Sequence, residues 1–233
     1  MALWLLGYPD RALRICAEAR RYADASQHPF SQAIARTINL RVHQFCDDAA
    51  VVADQANAAV AYCAEHGFVH YLAMARILRG WARASRGEFE KGIVEIQEGL
   101  EKERATGALL LESYSLGLLA DACIKNKRYG EAFEFLEQAR SRLDDDNSVR
   151  FYAAEIYRLL GETHLRSDQN LDKVKHYFAK GLEIARQQKA KSLELRLCLS
   201  FATCPSREKK PTSIIRNSDI STDRLVRVLI QLI

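Results

Sequence analysis

Small and apolar residues recur along this chain at helical spacing, and the spacing itself recurs. In GEFEKGIVEIQEGL, residues 87–100, Gly92, Ile96 and Gly99 fall on one helix face. The same places are held 40 residues on by Ala132, Leu136 and Ala139, and 40 residues back by Val52, Ala56 and Ala59. A further step back offers Ala12, Cys16 and Ala19; a step ahead, after two inserted residues, offers Val174, Phe178 and Gly181. Each such segment follows another helical pattern, over 30–44, 70–85, 110–125 and 150–166, as in YLAMARILRGWARAS. Glycine, asparagine and aspartate fill the breaks, where helices stop and start, and no strand-like alternation bounded by turns is present.

The pattern predicts an all-α chain, an α-solenoid of antiparallel helix pairs with a repeat of about 40 residues. The repeat domain is expected over 1–200, with about five pairs. The first pair is expected to be incomplete, because Met1 falls inside a first helix. A sixth repeat starts after Arg196 and dissolves into CPSREKKPTSIIRNSDISTD, so 201–233 reads as an irregular tail, truncated or frame-shifted. Gly80 and Gly161 on first helices are expected to oppose Gly99 and Gly181 on second helices. Gly99→Leu would overpack such a contact by about 1–3 kcal/mol.

The series Gly80, Gly87, Phe89, Gly92, Ile96, Gly99 resembles the tetratricopeptide repeat, as do Ala120, Tyr129, Ala132, Leu136, Ala139 and Gly161, Leu171, Val174, Phe178, Gly181. The period of 40 to 42 departs from that repeat, and the prolines that close it are missing. LWLLGYPDRAL, LAMARILRGWARASRGEFEKGI, FYAAEIYRLLGE and AKSLELR are similar to the repeat region of large bacterial signalling proteins. Those proteins join a class III adenylate or guanylate cyclase, or a LuxR-type regulator, to a predicted ATPase and a repeat array. The resemblance covers about residues 2–200. It implies a right-handed superhelix and a regulatory or protein-interaction role. It implies nothing direct about cyclase or ATPase activity, since no P-loop and no cyclase metal-binding core occur in these residues.

Charge narrows the picture. The chain of 233 residues carries 34 basic and 30 acidic residues, a net charge of +4, with the signs interleaved. Such a surface argues against a nucleic-acid binder, which concentrates its cations on one face. The six cysteines form no CxxC pair and sit mostly in apolar runs, as reduced thiols do. No apolar run is long enough to span a membrane and no signal peptide is recognisable, so a cytoplasmic location is expected.

Candidate chemistry is thin. Cys63, His66 and His70 have ligand-type spacing but straddle a turn without a fourth ligand. Glu88 and Glu90 read as solvated, His164 and His176 lack a nucleophile nearby, and Asp144–Asp146 reads as a helix cap. We therefore expect no catalytic residue, no metal, no cofactor and no enzyme activity.

The expected site is instead the concave groove lined by first helices. Repeat register assigns to it Arg41, Gln44, Met74, Trp81, Tyr114, Asp121, Glu155, Arg158 and Glu162. Trp81 reads equally well as packing between repeats. Arg79, which stands where other copies have Asn39, Leu119 and Leu160, has no account at this level. The function expected is a non-catalytic scaffold that holds a protein or peptide segment, as a regulatory fragment of a larger bacterial signalling protein. The alternative is a small-molecule-sensing repeat domain that regulates a linked ATPase, cyclase or transcription factor. Self-association through the uncapped ends ALWLL and VLIQLI is also expected.

Overall fold

A computed structural model describes residues 1–143 and 150–205. The helices in chain order are α1 (Ala2–Leu5), α2 (Pro9–Ser26), α3 (Pro29–Phe45), α4 (Ala49–Glu65), α5 (Val69–Ser85) and α6 (Phe89–Ala105). They continue with α7 (Glu112–Lys125), α8 (Tyr129–Leu143), α9 (Ala153–Arg166), α10 (Leu171–Gln187) and α11 (Lys191–Thr203); a 3-10 turn, Arg150–Tyr152, precedes α9. Among the described residues there is no strand. The chain divides into two compact units, Met1–Tyr152 and Ala153 onward. The cap assigned to Asp144–Asp146, and the tail beyond Pro205, lie outside the described residues.

Within each unit consecutive helices pack on one another, and first helices also touch the next first helix: α3 meets α5, α5 meets α7, and α9 meets α11. This layout is compatible with an α-solenoid. The backbone carries the repeat independently of the side chains. Left-handed residues close the first helices α1, α3, α5, α7 and α9 at Gly7, Asp47, Gly87, Lys127 and Gln169. A second series, Gln27, Gly67, Gly107 and Lys189, closes second helices. At the end of α5 the Gly87 amide donates to the Ala84 carbonyl at 3.0 Å, and the Glu88 amide to that of Arg83 at 3.0 Å. This reversal satisfies the last carbonyls of the helix and turns the chain back on itself.

The glycines pack the pairs, but not as the sequence suggested. A Cβ on Gly80 would lie 2.7 Å from the Gly92 carbonyl oxygen, and one on Gly92 would lie 2.6 Å from that of Gly80. Gly99 instead faces Ala73 and Ile77. In the second unit Gly161 faces Phe178, and Gly181 faces Ala154 and Leu197. The expected pairing of Gly80 with Gly99 and of Gly161 with Gly181 is therefore corrected. Antiparallel partners pair so that one index rises as the other falls, and reading both helices in the same direction misplaces the contact.

Candidate functional site

The residues assigned to a groove divide by unit. In Met1–Tyr152, five of the six are core: Arg41 is 7% exposed, Gln44 4%, Met74 1%, Trp81 2% and Tyr114 0%. They are therefore corrected from groove-lining to buried positions. The cause is contact between first helices. The Tyr114 hydroxyl on α7 donates to Gln44 Oε1 on α3 at 2.8 Å, and Arg41 Nη2 donates to the Met74 sulfur on α5. Aromatic rings extend the cluster. Trp4 stacks on Phe45 with centroids 5.0 Å apart, and Phe45 meets Tyr114, Phe151 and Tyr152. Trp81 lies under Lys125, whose ammonium is 5.9 Å from the ring centroid, and Lys125 also pairs with Asp121 at 2.7 Å. Of this set only Asp121 keeps partial access to solvent.

Among the described residues the Arg41 guanidinium is buried without a carboxylate in contact, and its Nε has no partner there. Burial lowers its pKa, against the pull of Tyr114 and Glu103. Glu103 is itself 1% exposed, accepts from the Ser115 hydroxyl at 3.1 Å, and leaves Oε1 without a partner. Burial pushes its carboxyl up to about 6, a rise that Ser115 and Arg41 only partly offset.

In the second unit Glu155 is likewise corrected from groove-lining to a buried position, while Arg158 and Glu162 keep partial access to solvent. Glu155, on the first turn of α9, is 3% exposed. Its Oε1 accepts from Arg158 at 2.8 Å and from Arg196, on α11, at 3.3 Å. Burial alone would raise this carboxyl; the two guanidiniums more than offset it and hold the group at about 2. Two turns on from Glu155, Glu162 accepts from Ser200 at 2.9 Å and pairs with Arg166 at 3.3 Å. Helical spacing puts Glu155, Arg158, Glu162 and Arg166 in one row. Beside the row, a hollow of about 460 Å³ is lined by Glu162, Leu165, Arg166, Leu199, Ser200 and Thr203. Leu199 is 38% exposed there. The arrangement combines ionic groups of both signs with apolar surface, which suits non-covalent binding of a polar chain.

Arg196 and Ser200 are the site residues that the sequence reading missed. Repeat register could have found them, since α11 is the first helix of a sixth pair. The same register now explains Arg79. It binds Glu95 on α6 and reaches Asn57 on α4 at 3.1 Å. One repeat earlier, Asn39 donates to Gln55 at 3.0 Å from the equivalent places. The polar pair 39/55 thus returns as 79/95 and gives way to Leu119 with Phe135. A second recurrent device joins neighbouring pairs: Glu112 is held by Arg104 at 2.7 Å, and Glu194 by Arg186 at 2.9 Å. Arg142 Nε lies 2.9 Å from the other oxygen of Glu112 but off the hydrogen-bonding direction, so that contact is coulombic.

The remaining candidates have local partners. Cys63 is buried, while His66 stacks between Tyr62 and Phe68 and His70 lies against Tyr71. Among the described residues no cluster of three metal-ligating side chains forms. Glu90 sits in solvent, paired to Arg128 at 3.0 Å. His164 is fixed by Asp168 at 3.1 Å and stacks on Tyr177. Among the described residues no helix is long and apolar enough to cross a membrane. Compared with known proteins, the chain matches no protein-family model, no curated protein and no solved structure.

Proposed function

We propose that this chain is a non-catalytic helical-repeat scaffold that binds an extended segment of another protein on the α9–α11 face. The pairs within each unit are read as tetratricopeptide-like and wound right-handed, and the chain as a regulatory part of a larger bacterial signalling protein. The observation that carries the binding role is the Glu162–Arg166 pair, one helical turn apart on α9, beside an open hollow with exposed Leu199. Charges at successive helical turns match polar groups on an extended peptide, and Leu165 and Leu199 supply the apolar contact that affinity requires.

A phage-displayed random-peptide library selected against the intact chain tests this. Selected peptides should compete with one another and lose at least tenfold in affinity on Leu199→Glu or Glu162→Arg. Peptides whose binding ignores both substitutions would sink the reading. A metabolite that raises the melting temperature and is blocked by the same substitutions would favour the small-molecule sensor instead.

A further inference from the structure

The α5–α6 pair of the first unit carries a groove of about 500 Å³, a size that suits a small molecule. Three arginines of α5 line it, and α6 contributes charges of both signs. Most of these charges are already matched. Glu95, buried at the side of the groove, accepts from Arg79 and, at 2.8 Å, from Arg83. Glu90 pairs with Arg128 at 3.0 Å, and Lys91 with Glu88 at 3.4 Å. Two lining charges are left over. Among the described residues neither Arg76 nor Glu98 has an ion pair or a hydrogen bond. Arg76 is half-buried and its Nε is covered, so the guanidinium is seated in the surface and not free in solvent.

The repeat shows what an arginine in this place has elsewhere. One repeat earlier Arg36 donates to Asp24 at 3.3 Å and lies 4.7 Å over the Tyr62 ring. At Arg76 the places of those two partners are taken by Ala64 and Lys102, one uncharged and the other of like charge. The repeat itself does not demand the two leftover charges. The places of Arg76 and Glu98 hold Arg36 and Ala58 one repeat earlier, and Leu116 and Gln138 one repeat later. Register sets the two opposite one another. Arg79 meets Glu95, and in an antiparallel pair one turn back along α5 is one turn forward along α6, which brings Glu98 across from Arg76. They border the same groove without pairing with each other.

We propose that the α5–α6 groove binds a free α-amino acid as its zwitterion. The ligand carboxylate accepts from Arg76, whose planar fork of N–H donors suits two carboxylate oxygens. The ligand ammonium donates to the Glu98 carboxylate. The side chain lies along Val94, which lines the groove and is 50% exposed, so an aliphatic amino acid fits best. A plain anion is repelled by Glu98 and a plain cation by Arg76; a ligand that carries both charges close together answers both. Arg79, Glu95 and Arg83 are held by one another and leave the recognition to the outer pair. This site is separate from the α9–α11 face, and neither proposal needs the other.

Isothermal titration of the intact chain with L-leucine tests this. Isocaproate and isoamylamine, which each keep the leucine side chain and lack one of its charges, serve as the paired probes. Leucine should bind at one molecule per chain, and each analogue at least tenfold more weakly. Arg76→Gln should weaken leucine binding at least tenfold. Glu98→Gln, at an exposed position, should do the same while circular dichroism and melting temperature stay as in the parent. Leu199→Glu should leave leucine binding unchanged. Absence of leucine binding to the parent overturns the proposal. So does isocaproate binding as tightly as leucine, the mark of a plain anion site, and so does leucine binding that ignores Glu98→Gln.

Discussion

At the scale of single residues, two buried carboxylates respond to pH in opposite directions. Glu103 is raised from 4.5 to about 6, so it binds a proton more tightly folded than unfolded. Its contribution to stability is complete below pH 4.5 and is lost as pH rises through about 6. Glu103→Gln should raise stability at pH 7 by about 1–2 kcal/mol and flatten the profile between those values, measured by urea denaturation at several pH values. Glu155 stands at about 2 in the folded chain, so its contribution is present above 4.5 and is lost as pH falls through about 2. Glu155→Gln should cost about 3 kcal/mol at pH 7, since Arg158 and Arg196 lose their shared carboxylate. The left-handed turn residues give a third prediction. Lys127 has φ 60°, where a side chain is strained and glycine is not. Lys127→Gly should stabilise the chain by about 0.5–1 kcal/mol in thermal unfolding, and Gly87→Ala at the equivalent turn should do the reverse.

At the scale of elements, the pairing of α5 with α6 depends on backbone approach. A Cβ on Gly92 would meet the Gly80 oxygen at 2.6 Å and the Ala84 nitrogen at 2.7 Å. These are main-chain atoms, and no rotamer change relieves the clash. Gly92→Ala should therefore lose about 2 kcal/mol by chemical denaturation, although alanine gains about 1 kcal/mol of helix propensity. A net gain in stability would show that the helices separate freely. Helix existence and order were legible in the sequence because periodicity and breaks agree over several copies. Which glycine meets which was not, since contact across an antiparallel pair runs against sequence direction. The recurrent polar pairs, Asn39 with Gln55 and Arg79 with Glu95, were visible as an oddity and became intelligible only as facing positions.

At the scale of the whole molecule, protection should be graded. Helix α5 is packed by α3, α4, α6 and α7, whereas α2 bears an open groove. Hydrogen exchange should be slowest in α5 and much faster in α2, as in a repeat array whose parts are stabilised by neighbours. Equal protection in both would contradict this picture. The sequence alone determined the all-helical character, the 40-residue recurrence and the places of the turns, because helical periodicity and turn chemistry are local. Only the tertiary structure decided which first-helix residues meet solvent. Register put Arg41, Gln44, Met74, Trp81, Tyr114 and Glu155 on the same face as Glu162, yet the former are buried and Glu162 borders a hollow. Burial is fixed by what lies opposite a face, and that partner comes from distant parts of the chain.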